Sequence, residues 1–114
     1  MASSHIDWEQ FDMILGEPEE ETLELLNEFQ TDCREIVSRL AGHTDQQRIG
    51  RDLHQLKGVS LNMGFSGLAD IAATAEQEAK SGRLASPEQV CQSIESELQA
   101  ALDELRRERP GFFA

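Results

Sequence analysis

The chain has 114 residues, of which 39 % are hydrophobic and 5 % aromatic, so it can form one modest core but not two domains. Few aromatic residues and only three prolines favour a helical core over a β-sandwich. The 22 acidic and 10 basic residues give a formal net charge of -12, which disfavours nucleic acids and anionic membrane surfaces as partners.

The first two predicted helices lie on either side of Gly16. A short leading helix is expected within residues 1–15, and it ends at this glycine. The second helix is expected over residues 18–41, because Pro18 suits a first helical position and acidic residues follow it in the first turn. Its apolar face has residues spaced alternately by four and three positions, namely Thr22, Leu26, Phe29, Cys33, Ile36 and Leu40.

Three further helices are expected in the rest of the chain. A capping box of Thr44 and Gln47 predicts a third helix over about residues 45–64, ended by Gly64. A fourth helix is expected over about residues 67–81, and a fifth from Pro87 to about Arg109. The apolar stripe of the third helix consists of Ile49, Leu53, Leu56, Ser60 and Met63.

These elements predict an all-α fold. Four helices over residues 18–109, each with one apolar stripe and joined by short loops, are best satisfied by an antiparallel up-down-up-down bundle. The leading helix, within residues 1–15, would cap one end of this bundle. We therefore expect one domain over residues 1–114.

The cysteines, the histidines and the N-terminal sequence give few functional signals. Cys33 and Cys91 lack the spacing of a metal or redox motif and are expected to be buried thiols. His5, His43 and His54 have no histidine or cysteine four residues away, so no metal site is expected. Because neither a signal peptide nor an apolar run of about 20 residues is present, we expect a cytoplasmic protein.

One face of the third helix is unusual. At roughly 100° per residue, His54 points away from the apolar stripe and therefore outward. Each glycine inside a helix costs roughly 1 kcal/mol relative to alanine, so two glycines on this face indicate that something approaches closely. Two apolar residues continue the face and would suit a transient protein contact. The residues on this face are Gly50, Arg51, Lys57, Gly58, Leu61 and Phe65.

Charge around His54 favours a reaction at the imidazole. Residues 45–65 contain three basic and two acidic residues, a net charge of +1 in a chain of -12. Lys57, one turn beyond His54, can place its ammonium group beside a phosphoryl group carried by the ring. A neutral imidazole has a free lone pair near pH 7 and is a suitable nucleophile. The alternative interpretation is an ordinary polar residue on a helix surface.

The stretch "LHQLKGVSLNMGFSGLADIAATAEQEAKSG", residues 53–82, resembles the signature of histidine phosphotransfer (HPt) domains of multistep phosphorelays. The shared pattern is a histidine, any residue, Leu-Lys-Gly, a second glycine six residues after the first, and an acidic residue on the next helix. The match has no gaps. Val59 and Ala75 depart from the residues common at their positions, which affects helix packing rather than chemistry.

The resemblance implies a role for each matching residue. His54 would accept a phosphoryl group from the receiver domain of a hybrid sensor kinase and pass it to a response-regulator receiver. Lys57 would stabilise the phosphoryl oxygens, Gly58 and Gly50 would let the receiver approach, and Glu76 would orient the imidazole through Nδ1. Such a carrier is not an ATP-dependent kinase and needs no cofactor, since Mg²⁺ belongs to the receiver. A monomer is expected.

Several alternatives stay open from the sequence alone. Glu76 would also fit a solvated charge on the flank of its helix, and the leading helix could cover Leu61 and Phe65. A different class of function is a helical adaptor or inhibitor that docks a kinase or regulator without carrying phosphate. A di-metal four-helix bundle would need paired Glu-x-x-His motifs, which the sequence lacks. The initiator methionine and the short C-terminal end lead us to expect a stand-alone protein.

Overall fold

The computed structural model describes residues 4–42, 44–84 and 86–113, and within them it contains helices and turns but no strand. This confirms the all-α prediction; His43 lies outside the described residues. None of the described helices combines the length and apolar character needed to cross a bilayer. The helices are α1 Trp8–Ile14, α2 Glu20–Gly42, α3 Gln46–Met63, α4 Ser66–Lys80 and α5 Pro87–Glu108, followed by a short 3-10 helix, Pro110–Phe112.

The helix ends differ from the predicted ones by a few residues at most, except that α1 is shorter. At the start of α5, the Ser86 side chain accepts a hydrogen bond from the Gln89 amide at 3.2 Å and so caps the helix. At the start of α3, Asp45 and not Thr44 is the cap. Its carboxylate accepts from the Gln47 amide at 2.9 Å, so α3 starts one residue later than predicted.

The core is formed where the apolar stripes of α2 to α5 meet. Helix α2 contacts α3 and α5, α4 contacts the same two helices, and the most extensive contact joins α3 and α4. The predicted stripe of α3 is entirely buried. Thr22 is an exception on α2: it is only half-buried, and its hydroxyl accepts from the Glu19 amide at 2.8 Å and donates to the Glu17 carbonyl at 2.7 Å. Thr22 therefore shapes the start of α2 rather than its core face.

The leading segment packs over the turn between α3 and α4. Its Asp7 amide donates to the Gly64 carbonyl at 2.7 Å, and the Gly67 amide donates to the His5 carbonyl at 3.2 Å. Phe11 is fully buried and lies edge-on to the ring of Phe112, with centroids 5.4 Å apart. The leading helix thus covers this end of the α3–α4 pair.

Phe65 corrects one prediction. It was expected on the exposed face of His54, but the side chain is completely buried and its ring centroid is 4.5 Å from that of Phe29. The cause is Gly64, which ends α3 in a left-handed conformation with φ 84°. This turn takes Phe65 off the periodicity of α3 and into the core.

The prediction of buried thiols is confirmed. Both Cys33 and Cys91 are free and buried. Burial raises the pKa of the Cys33 thiol to about 12, with a smaller contribution from Asp32. Because the thiolate is the reactive form, this cysteine is chemically inert at neutral pH.

Candidate functional site

His54 lies in the middle of α3 with its ring directed outward. The side chain is 67 % exposed, which agrees with the orientation expected from the helical periodicity. Its Nδ1 atom lies 2.8 Å from Oε2 of Glu76 on α4. One ring nitrogen is therefore held by the protein and the ring remains accessible from solvent.

Glu76 is a buried carboxylate with several donors around it. Its side chain is only 1 % exposed, which excludes the alternative of a solvated flank charge. Burial alone would raise the pKa of this carboxyl, but hydrogen bonds from Lys57, Lys80 and His54 lower it to about 2. The group is therefore ionised at neutral pH and acts only as an acceptor.

The charge on Glu76 fixes the tautomer of His54. An ionised carboxylate cannot donate a hydrogen bond, so the contact at Nδ1 requires a proton on that nitrogen. In the neutral ring the lone pair is then on Nε2. The arrangement presents Nε2 as the nucleophilic atom.

Two lysines share the Glu76 carboxylate. Lys57, on α3, places Nζ 2.9 Å from Oε1, so its ammonium group binds the same carboxylate that holds the imidazole. Lys80, on α4, places Nζ 3.0 Å from Oε2. Lys80 was not among the predicted site residues. Its position four residues after Glu76 was a usable signal, because side chains at that spacing lie on the same helix face.

A shallow concavity beside the ring is lined by residues from both helices. Arg51 is exposed and lines it together with His54, Glu76 and Lys80. Farther along α3, Leu61 is 54 % exposed. Arg51 and Leu61 are thus accessible, whereas the buried Phe65 is not part of this surface.

The two glycines near His54 have different surroundings. A β-carbon added to Gly58 would meet no atom within 4 Å in the described part of the chain, so this position is open. Gly50 is buried, and a β-carbon there would lie 3.8 Å from Cβ of Ala79. This is an ordinary van der Waals distance, and Gly50 also lines the concavity beside His54, so its role towards a partner stays a prediction.

His5 and Glu97 form a second histidine–carboxylate pair, whose surroundings differ in charge from those of His54. The Nδ1 atom of His5 lies 2.7 Å from Oε2 of Glu97, and its side chain is 38 % exposed. The neighbouring carboxylate of Glu104 accepts from the His5 amide at 2.9 Å. The surroundings of His5 are thus acidic, whereas two ammonium groups lie next to the carboxylate that holds His54.

The Hpt domain family model matches residues 24–108, which is most of the chain and includes α3 and α4. The chain belongs to the Hpt domain family. Hpt domains act in histidine phosphotransfer within phosphorelays, interact with receiver domains and are in general phosphocarriers without kinase activity. The comparison with curated proteins found no match, and the comparison with solved structures found none either.

Metal-binding residues are not grouped in the described parts of this Hpt domain. No set of three or more His, Cys, Asp or Glu side chains lies close enough together there to hold an ion. The carboxylate of Glu76 instead contacts three nitrogen atoms, those of His54, Lys57 and Lys80. Its surroundings suit an anion held by donors rather than a cation held by acceptors.

We expect this Hpt domain to lose stability in acid because of Glu76. The carboxyl has its ordinary pKa of 4.5 when unfolded and about 2 when folded, so the unfolded state binds more protons between these values. The resulting stabilisation, on the order of 3 kcal/mol, is fully present above pH 4.5 and is lost as the pH falls towards 2.

Urea unfolding at a series of pH values measures this effect. The wild-type free energy of unfolding should fall more steeply below pH 4.5 than that of Glu76→Gln, which has no proton to bind at this position. Parallel curves for the two proteins would contradict the assignment.

Proposed function

We propose that this chain is a phosphocarrier that accepts a phosphoryl group on Nε2 of His54 and gives it to a second receiver domain. The lone pair of Nε2 attacks the phosphorus of an aspartyl phosphate, so that an N–P bond forms and the acyl O–P bond breaks. The receiver's aspartate leaves as a carboxylate. The reverse reaction on another receiver returns His54 to its starting state.

The observation that carries this proposal is an exposed imidazole held at Nδ1 by a buried, ionised carboxylate. When Nε2 bonds to phosphorus, both ring nitrogens are substituted and the ring gains positive charge. Glu76 then stabilises that charge through the same hydrogen bond. Lys57, whose ammonium group binds the other oxygen of Glu76, would turn towards the phosphoryl oxygens.

The receiver would dock over the accessible residues Arg51, Gly58 and Leu61, and its acidic pocket would meet the net positive segment around His54. The receiver would supply the Mg²⁺ ion, and this chain would need no cofactor. We further propose a cytoplasmic monomer that forms one domain, with its four long helices in antiparallel up-down-up-down order.

Incubation with a phosphorylated receiver tests the proposal. The wild-type protein should gain the mass of one phosphoryl group, acid-labile as a phosphohistidine is, and His54→Gln should gain none. His5→Gln is the matched control, since it removes a second carboxylate-bound imidazole and should leave the mass gain unchanged. An unchanged gain in His54→Gln would contradict the proposal.

An adaptor that docks a kinase or regulator without carrying phosphate is the second candidate. It is favoured by the exposed apolar side chains of Leu61 and Met13, the latter 71 % exposed. Stable binding to a receiver without any acid-labile mass gain would support the adaptor. Binding that depends on these side chains together with a mass gain at His54 would support the carrier.

Gly58 provides a further test, because it is open in the free protein. Gly58→Ala should raise the stability by up to about 1 kcal/mol, since alanine is the better helix former. Gly58→Leu should slow transfer from the receiver, because its side chain would occupy space that the partner needs. Thermal unfolding and transfer rates measure the two effects.

Gln92→Leu places the same leucine side chain at an exposed position of α5 and controls for the added surface hydrophobicity of Gly58→Leu. It should leave the transfer rate unchanged. Equal rates for wild type and Gly58→Leu would show that no partner approaches this glycine.

A further inference from the structure

The two lysines of this chain both contact the same buried carboxylate. Among ten basic residues, only Lys57 and Lys80 are lysines, and they contact Oε1 and Oε2 of Glu76 respectively. Lys57 belongs to the motif around His54. Lys80 is not one of the residues of the shared pattern, and the phosphotransfer step described above does not use its contact with Glu76.

A carboxylate next to an imidazole has two opposing effects. It orients the ring by accepting the Nδ1 proton, but it also stabilises the protonated imidazolium form. An imidazolium has no lone pair on Nε2 and cannot attack phosphorus. A site that uses Glu76 to orient His54 therefore benefits from positive charge that offsets the carboxylate.

We propose that Lys80 is a positioning residue for His54, and that it offsets the charge of Glu76 so that the carboxylate orients the ring without favouring the imidazolium form. The inference rests on the proposed phosphocarrier function. Lys80 acts through Glu76 and does not itself touch the reacting phosphorus.

The geometry distinguishes Lys80 from an ordinary surface ion pair. A pair of exposed side chains four residues apart on a helix contributes only about 0.3–0.5 kcal/mol to stability. Here the Lys80 side chain is 59 % exposed, but the Glu76 side chain is only 1 % exposed, so the carboxylate is shielded from water. Moreover, Lys80 and His54 contact the same oxygen, Oε2, and so compete directly for its charge.

No other charged group in the described residues is shown in contact with Oε2 of Glu76, the oxygen that His54 contacts. Lys57 contacts the second oxygen of the carboxylate, and Arg51 and Asp45 line the concavity beside the ring. On the side towards α2, Arg39 contacts Asp52 at 3.2 Å. Within the described residues, the charged groups that line this concavity or take part in these ion pairs are Asp45, Arg51, Asp52 and Lys57 on or before α3, Glu76 and Lys80 on α4, and Arg39 on α2.

Nuclear magnetic resonance of ¹⁵N-histidine-labelled protein tests the proposal without a receiver. Compared with wild type, the His54 ring of Lys80→Met should become protonated at a pH higher by about 0.5–1 unit, and Lys80→Arg should restore the wild-type curve. His5 is the internal reference, because its surroundings do not include Lys80. Coincident His54 curves for wild type and Lys80→Met would overturn the proposal.

Phosphoryl acceptance gives the second readout. Lys80→Met should accept phosphate about three- to tenfold more slowly than wild type near pH 6 and at nearly the wild-type rate near pH 8.5. A deficit of equal size at both pH values would indicate a merely structural role and overturn the proposal. If wild type accepted no phosphate at any pH, the phosphocarrier function would fail, while the ring titration would still decide the role of Lys80.

Discussion

Replacing Glu76 with leucine should slow phosphoryl acceptance by His54 by about 10- to 100-fold, by analogy with the loss of the hydrogen-bond partner that orients a metal-bound histidine. Leucine has a similar volume but cannot accept the Nδ1 proton. The ring would then populate the tautomer with the proton on Nε2, and it would lie next to two ammonium groups with no carboxylate between them. The first effect removes the lone pair from Nε2, and the second destabilises the positive charge that the ring gains when it is phosphorylated.

Glu76→Gln is the matched control for this variant. Its amide oxygen can still accept from Nδ1, so transfer should stay within a few-fold of wild type. Initial rates of transfer from a phosphorylated receiver measure both variants, with circular dichroism to establish that both are folded. Equal rates for Glu76→Leu and wild type would show that the carboxylate does not position the ring.

Replacing Gly64 with alanine should destabilise the fold by more than about 2 kcal/mol, because two separate penalties add. The residue has φ 84°, which an L side chain adopts only with strain. A β-carbon there would also lie 2.8 Å from both the Asp7 carbonyl oxygen and the Phe11 amide nitrogen. These are backbone atoms of the leading segment, so relief of the clash requires that α1 move away from the α3–α4 turn.

Gly82→Ala separates the two penalties at Gly64. Gly82 has a similar φ of 69°, but a β-carbon there meets nothing within 4 Å in the described ranges. It should cost only the conformational penalty of about 1–2 kcal/mol. Urea unfolding of both variants checks the comparison, and equal losses would show that the leading segment does not constrain Gly64.

Most of the helices could be predicted because their local signals agree with one another. The start of α5 is an example: Ser86 caps the helix, Pro87 occupies its first position, and buried residues follow with helical spacing. The apolar stripe of α3 could also be predicted, since five apolar or small residues fall on one face of the helix. Periodicity and capping therefore determine this part of the fold locally.

The error at Phe65 and the burial of Gly50 come from features that periodicity does not contain. The helical wheel treats Phe65 as part of α3, but the left-handed turn at Gly64 takes it into the core against Phe29. Gly50 is on the predicted side of α3, yet the neighbouring helix α4 covers it. A wheel gives directions around one helix and not the position of the next helix.

At the candidate site, too, features of a single helix could be predicted from the sequence, whereas contacts between helices could not. The outward direction of His54 and the proximity of Lys57 follow from spacing along α3. Glu76 can be buried in its ionised form because side chains from two helices donate to it. Sequence spacing along one helix therefore could not decide between a buried and a solvated carboxylate. The contact of Lys80 becomes meaningful only once Glu76 is known to face His54.

Identification of the phosphorylated atom tests the central claim most directly. After reaction with a phosphorylated receiver, peptide mapping under alkaline conditions locates the phosphoryl group, and ¹⁵N spectra of the labelled imidazole show which nitrogen is bonded to phosphorus. We expect a single phosphoryl group on Nε2 of His54, with the proton of Nδ1 still donated to Glu76. Phosphate on Nδ1, on another residue or on none would contradict the account.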